Sequence, residues 1–166
     1  MASHNGDRAA ALSQQLAQTH QELLRQIGEI RSSLGHRRLS DNVLLTHCLA
    51  FCAALTSHHQ GEDDGMFSQL LRERPDLAPT VANLVEDHGM ITSILSQVRE
   101  LADRAAESRG LALEAIGREL DGLAAIMESH FRYEERTISE ALDDAIPDTD
   151  WPNTVFSRTR PVTRSS

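Results

Sequence analysis

Apolar residues recur every three or four positions along four long stretches of the chain, the spacing of one buried face on an α-helix. In the first, from about Asp7 to Leu34, Leu16, Leu23, Ile27, Ile30 and Leu34 share a side, and Gly35 is a natural terminus. The second starts behind the capping pair Ser40-Asp41 and runs to about Arg74, where RPDLAP breaks it. The third begins near Asp76, tolerates Pro79 in its first turn, and continues to about Ala106, where ESRG closes it. The fourth spans about Leu111 to Ala145 and stops before Pro147. Four helices of similar length with short links predict an all-α, up-down-up-down four-helix bundle. The periodicity is lost after residue 146, so the chain divides into a bundle over 7–146 and a tail over 147–166. The tail is expected to be largely disordered, with Trp151 and Phe156 tacking its first part onto the bundle.

Polar residues interrupt these apolar stripes in a repeated way. SHHQGED, Ser57 to Asp63, and SHFRYEE, Ser129 to Glu135, both place His and Glu four apart. At about 100° per residue, Glu62 lies about 40° from His58, in the sector of Phe51 and Leu55. Glu134 stands in the same relation to His130, among Ile116, Leu120, Leu123, Met127 and Ile138. The other two helices each carry one matching histidine: His20 between Leu16 and Leu24, His88 between Leu84 and Leu95.

The heights agree as well. Residues on antiparallel neighbours meet when they are equidistant from the connecting loop. The midpoints of 20 and 58, of 88 and 130, and of 62 and 88 fall at 39, 109 and 75, each inside a predicted link. The polar groups of all four helices therefore share one layer. Burying such a cluster without a cation costs several kcal/mol. Imidazole and carboxylate together suit iron, manganese or zinc. His20, His58, His88, His130, Glu62 and Glu134 make six candidate ligands. His59 is either a seventh or a helix-face residue at the edge. One tetrahedral zinc needs four donors; six or seven suit two metals, with Glu62 and Glu134 placed to bridge them. Asp63, Asp64 and Glu135 read as solvated acids or as partners that fix imidazole tautomers. Tyr133 lines the site or packs beside it. His47, three turns before His58, is too far away and reads as a core or helix-end residue.

HHQGEDDGMF, DHGMI and SHFRYEE resemble the motifs of hemerythrin-like, HHE-type domains of the bacterial kind, over roughly residues 10 to 145. The resemblance implies a four-helix bundle around two iron ions, bridged by the two carboxylates and an oxo or hydroxo group. It further implies a protein that binds oxygen, senses oxygen or iron, or reacts with peroxide or nitric oxide. The oxygen carriers of the family have a second histidine four after the one on helix three, where this chain has Thr92. His59 restores the count, since some relatives use the residue beside the helix-two histidine. The carriers end their ligand set on an Asp five after the helix-four histidine. That position is Glu135 here, and Glu134 takes the role, as in many bacterial relatives.

Composition narrows the function classes. The net charge of -9 argues against nucleic-acid and anionic-membrane surfaces. No apolar run approaches the length of a membrane span, and MASHNGDRAA lacks the apolar core of a signal peptide. Cys48 and Cys52, four apart on one helix, are poorly placed for a disulfide. They read as buried fillers or redox-sensing thiols, and two reduced thiols fit the cytoplasm. The expected partner is a small diatomic molecule or peroxide, reacting at a di-iron centre. The alternatives are oxygen storage or oxygen and iron sensing without turnover, a specialised biosynthetic di-iron oxidase, and a purely structural metal staple.

Overall fold

The structure, a computed structural model, describes the backbone of residues 4–36, 41–105 and 109–145, and the side chains of 12–34, 42–104 and 113–143. Helix α1 is His4–His36, α2 is Asp41–Gly61, α3 is Phe67–Glu73, α4 is Ala78–Ala105 and α5 is Arg109–Ala145. The α2 and α3 segments form one bundle arm, joined by a π-helical turn over Glu62–Met66. Helix α5 packs along both α1 and α4, and α2 closes the other side against the same two helices. The result is the expected up-down-up-down bundle. The tail over 147–166, with Trp151 and Phe156, lies outside the described residues.

Two local expectations change. Gly35 does not end the first helix, which runs to His36. The second arm is not one unbroken α-helix, because the π turn interrupts it. The turn has a packing reason. With His58 set at zero, an ideal helix would put Leu70 at about 120° and Phe67 at about 180°, away from the core side. Looping out one residue sets the winding back by about 100° and returns both to the side of Phe51 and Leu55. Phe67 and Leu70 are indeed buried, at 2% and 0% exposure. Beyond the arm, Arg74 breaks the helix with φ -134° and ψ 75°. Its guanidinium grips the Asp76 carboxylate through two hydrogen bonds of 2.9 Å. The 3-10 turn Pro75–Leu77 then leads into α4.

The apolar core is in two parts. One contains Leu23, Ile27, Phe51, Leu55, Ile91, Leu95, Leu120, Leu123, Met127 and Phe131, among others. The other contains Leu16, Met66, Phe67, Leu70, Val81, Leu84, Ile138 and Leu142. Each arm crosses from one part to the other at its polar interruption: His20 between Leu16 and Leu23, His88 between Leu84 and Ile91. The polar layer is thus a slab between two apolar plugs. Cys48 and Cys52 are buried free thiols in the first plug. His47 is exposed on α2, not in the core. No helix among the described residues is long and apolar enough to cross a membrane.

Candidate metal centre

All seven candidate residues lie in that slab. His20, His58, His59, Glu62, His88, His130 and Glu134 are each at most 4% exposed. Their donor atoms fall into two groups, one of His59, His88 and His130, the other of His20, His58, Glu62 and Glu134. Within each group the atoms lie within 4.8 Å of one another.

The carboxylates stand between the groups. Glu134 turns Oε2 to His130 Nε2 at 3.2 Å and Oε1 to His20 Nε2 at 3.6 Å. Glu62 Oε1 is 3.1 Å from His58 Nε2 and 3.6 Å from His88 Nε2. Each glutamate therefore reaches both groups, as a bridging ligand would. The π turn contributes here too, since Glu62 is its first residue and Asp63 its second.

The rings are held from outside. The Nδ1–H of His88 donates to Asp63 Oδ1 at 2.7 Å. The Nδ1–H of His130 donates to Asp87 Oδ2 at 3.0 Å. His20 Nδ1 is 3.6 Å from Glu135 Oε2. Asp63, Asp87 and Glu135 are each about one third exposed, so their charges are partly hydrated. Such outer acids fix the tautomer and leave Nε2 bare toward the interior. Stacking adds to this: His20 lies on Phe131 with centroids 3.9 Å apart, and His59 on His88 at 3.8 Å.

The donor set fits a pair of cations. Both ring nitrogens of His20, Nε2 of His59, and all four carboxylate oxygens of Glu62 and Glu134 are buried and make no hydrogen bond among the described residues. The Nε2 atoms of His88 and His130 are 3.1 Å apart while both Nδ1 atoms face acids. Two bare lone pairs at that distance repel unless a proton or a cation lies between them. Two nitrogens bound at right angles to one ion at about 2.1 Å would be about 3 Å apart. A slab with this many unpaired donors is unfavourable on its own and complete with metal.

Protonation tells the same story. Burial pushes the Glu62 carboxyl up from 4.5 to about 7, against the pull of Glu134 and His130. Burial likewise raises Glu134 to about 7, with the neighbouring Glu62 carboxylate adding to the rise. Burial lowers His20 from 6.5 to about 3, although Glu134 opposes it. His59 is held well below 6.5 by burial and by the surrounding imidazoles. His130 goes the other way: burial disfavours its charge, but Glu134, Asp87 and Glu62 together outweigh that. Neutral imidazoles are ready ligands, and the shared protons are what a cation displaces.

Other sequence candidates fall outside the two groups. Tyr133 is half-buried, accepts a 3.4 Å hydrogen bond from the Asn83 side chain and packs against the second apolar plug. Asp64 and Thr92 are exposed. Asp87 is the participant that sequence reasoning passed over. The midpoint of 87 and 130 falls on the same link as that of 88 and 130, so the height signal was present.

The hemerythrin HHE cation binding domain matches residues 11–143 of the chain. No curated protein and no solved structure matches it. The match covers most of the 166 residues and contains every donor described above. With its four-helix architecture and its His/Glu slab, the chain belongs to the hemerythrin HHE cation-binding family.

Proposed function

We propose that this chain is a non-heme di-iron protein whose site reacts with small oxidants, hydrogen peroxide foremost, with oxygen and nitric oxide as related ligands. The observation that carries the reading is the unequal pair of donor groups sharing two carboxylates. Three imidazoles serve one group and two serve the other. With both carboxylates counted on each side, the His20–His58 side has four protein donors against five, which leaves room there for a small exogenous ligand. Burial of all seven residues limits that ligand to a few atoms.

Two iron ions, when bound, would supply the electron-transfer chemistry that imidazole and carboxylate lack. The chain's residues do the rest. Glu62 and Glu134 span the two groups and hold them at a fixed separation. Asp63 and Asp87 hold the Nδ1 protons of His88 and His130 and fix the ring planes. Glu135, one third exposed and 3.6 Å from His20 Nδ1, stands where a proton can pass between solvent and the less-liganded side. The two apolar plugs keep bulk water away.

The test is metal content followed by turnover of added peroxide by the iron-loaded protein. Close to two irons per chain and a rate well above that of a His130→Ala variant are expected. Equal rates in the two proteins would sink the enzymatic reading. A reversible oxygen-dependent absorption band without turnover would replace it with a binding role.

A further inference from the structure

A cavity of about 390 Å³ opens on the outer face between α4 and α5, lined by Asn83, Asp87, Ser129, Arg132, Tyr133 and Arg136. None of these is among the seven candidate ligands. Its volume is at the small end of the range for ligand sites. Its chemistry is unlike the rest of this acidic chain. Two guanidiniums, a phenol, an amide and a hydroxyl line it, against one carboxylate.

The groups are partly committed. Arg132 gives one Nη to Glu128 at 3.1 Å and keeps its other donors. Arg136 lies over the Tyr133 ring, 5.8 Å from its centroid, and has no ion-pair partner among the described residues. The Asn83 amide holds the Tyr133 hydroxyl. Asp87 uses Oδ2 on His130, so Oδ1 remains to accept from an occupant. We propose that this cavity binds a small organic acid, its carboxylate held by Arg132 and Arg136 and a hydroxyl donor of the same molecule facing Asp87.

The charge pattern selects the class. Two arginines favour a planar carboxylate, which a guanidinium can engage through paired hydrogen bonds. The Tyr133 ring and the arginine stems give the apolar walls that a compact ring or short chain would fill. The lone acid excludes a second carboxylate at that end and favours a hydrogen-bond donor. A molecule so bound sits two hydrogen bonds from His130, by way of Asp87, close to the metal centre but outside its ligand set. The inference does not depend on peroxide turnover.

The probe is 4-hydroxybenzoate, which carries a carboxylate and a distant hydroxyl and chelates metals poorly. Isothermal titration into the metal-loaded full chain at low salt should give a saturable site with a Kd of about 1 mM or tighter. Benzoate, lacking the donor, should bind several-fold more weakly. 4-Hydroxybenzamide, lacking the charge, should give no saturable heat. An Arg132→Gln/Arg136→Gln double variant should bind about tenfold more weakly, with helicity and metal content unchanged. In nuclear magnetic resonance of the wild-type protein, the Asn83 side-chain amide and the Ser129 backbone should shift along the same isotherm. No saturable binding up to about 10 mM, wild-type affinity in the double variant, or shifts elsewhere on the surface would each overturn the site. Equal binding of benzoate would overturn the role given to Asp87.

Discussion

Replacing Glu134 by Gln should change stability in opposite directions with and without metal. Glu134 is fully buried, and in the metal-free protein its carboxyl is raised from 4.5 to about 7. At pH 8 the folded state must therefore hold an ionised group that the unfolded state ionises far more easily. At about 1.4 kcal/mol per pKa unit, the penalty is about 3 kcal/mol. Gln keeps the shape and the neutral hydrogen-bonding character and removes the charge. After allowance for an imperfectly paired amide, the metal-free variant should gain about 2 kcal/mol at pH 8. For a chain of this size that raises Tm by about 4–8 °C. At pH 4 the wild-type carboxyl is already protonated, so the gain should vanish. With metal the sign reverses, because Gln cannot bridge the two groups, and metal content should fall to one per chain or fewer. The assay is calorimetry at pH 4 and pH 8, with chelator and with iron or zinc. A variant that melts below wild type at pH 8 in chelator would refute the reasoning. It would make Glu134 part of a self-sufficient hydrogen-bonded core rather than a charge awaiting a cation.

Further outcomes follow from the same geometry. The metal-free wild type should lose stability as pH rises from about 6.5 to 8, since Glu62, Glu134 and His130 all bind protons more tightly folded than unfolded; melting in chelator across that range checks it, and a rising Tm would contradict it. Below pH 6.5 the depressed His20 and His59 act oppositely, so the slope there should flatten or invert. Asp87→Asn should leave helicity intact but weaken metal binding about 10–100-fold, because the His130 ring loses its anionic anchor; competition with a coloured chelator measures this. Phe131→Ala should cost about 3–5 kcal/mol in denaturant unfolding and also loosen metal binding, since it removes both core volume and the ring on which His20 stacks.

Much of the site was legible because a bundle is nearly one-dimensional. Residue number gives height, and the 100° step gives direction. Those two coordinates brought His20, His58, His88, His130, Glu62 and Glu134 into one slab, and the structure has them there. His59 was ambiguous by direction, being about 100° from His58. In the structure it is buried, stacked on His88, and grouped with His88 and His130. Asp87 shared the height of His130 but, one residue before His88, pointed off the core face. Only the actual placing of α5 beside α4 turned it into a partner. The π turn left no hydrophobic signature of its own. It showed indirectly, in that Phe67 and Leu70 fell on the wrong side of an ideal helix. At Gly35 the expected and observed helix ends differ by one residue, the ordinary uncertainty of a helix terminus.

The three outer acids carry one more consequence, visible when charge is counted across the whole assembly. Glu62, Glu134, Asp63, Asp87 and Glu135 offer five negative charges when ionised, two at the centre and three on the rim. Against two divalent ions they leave a surplus of one negative charge; against two trivalent ions, a deficit of one. With either pair of ions the assembly would stand within one unit of neutrality, and a single hydroxide would balance the trivalent pair. Because the rim acids are hydrated, they supply most of that compensation without the desolvation cost of further carboxylates in the slab. A bundle of this size can thus hold a multiply charged core while asking its apolar plugs to tolerate almost no net charge in either state.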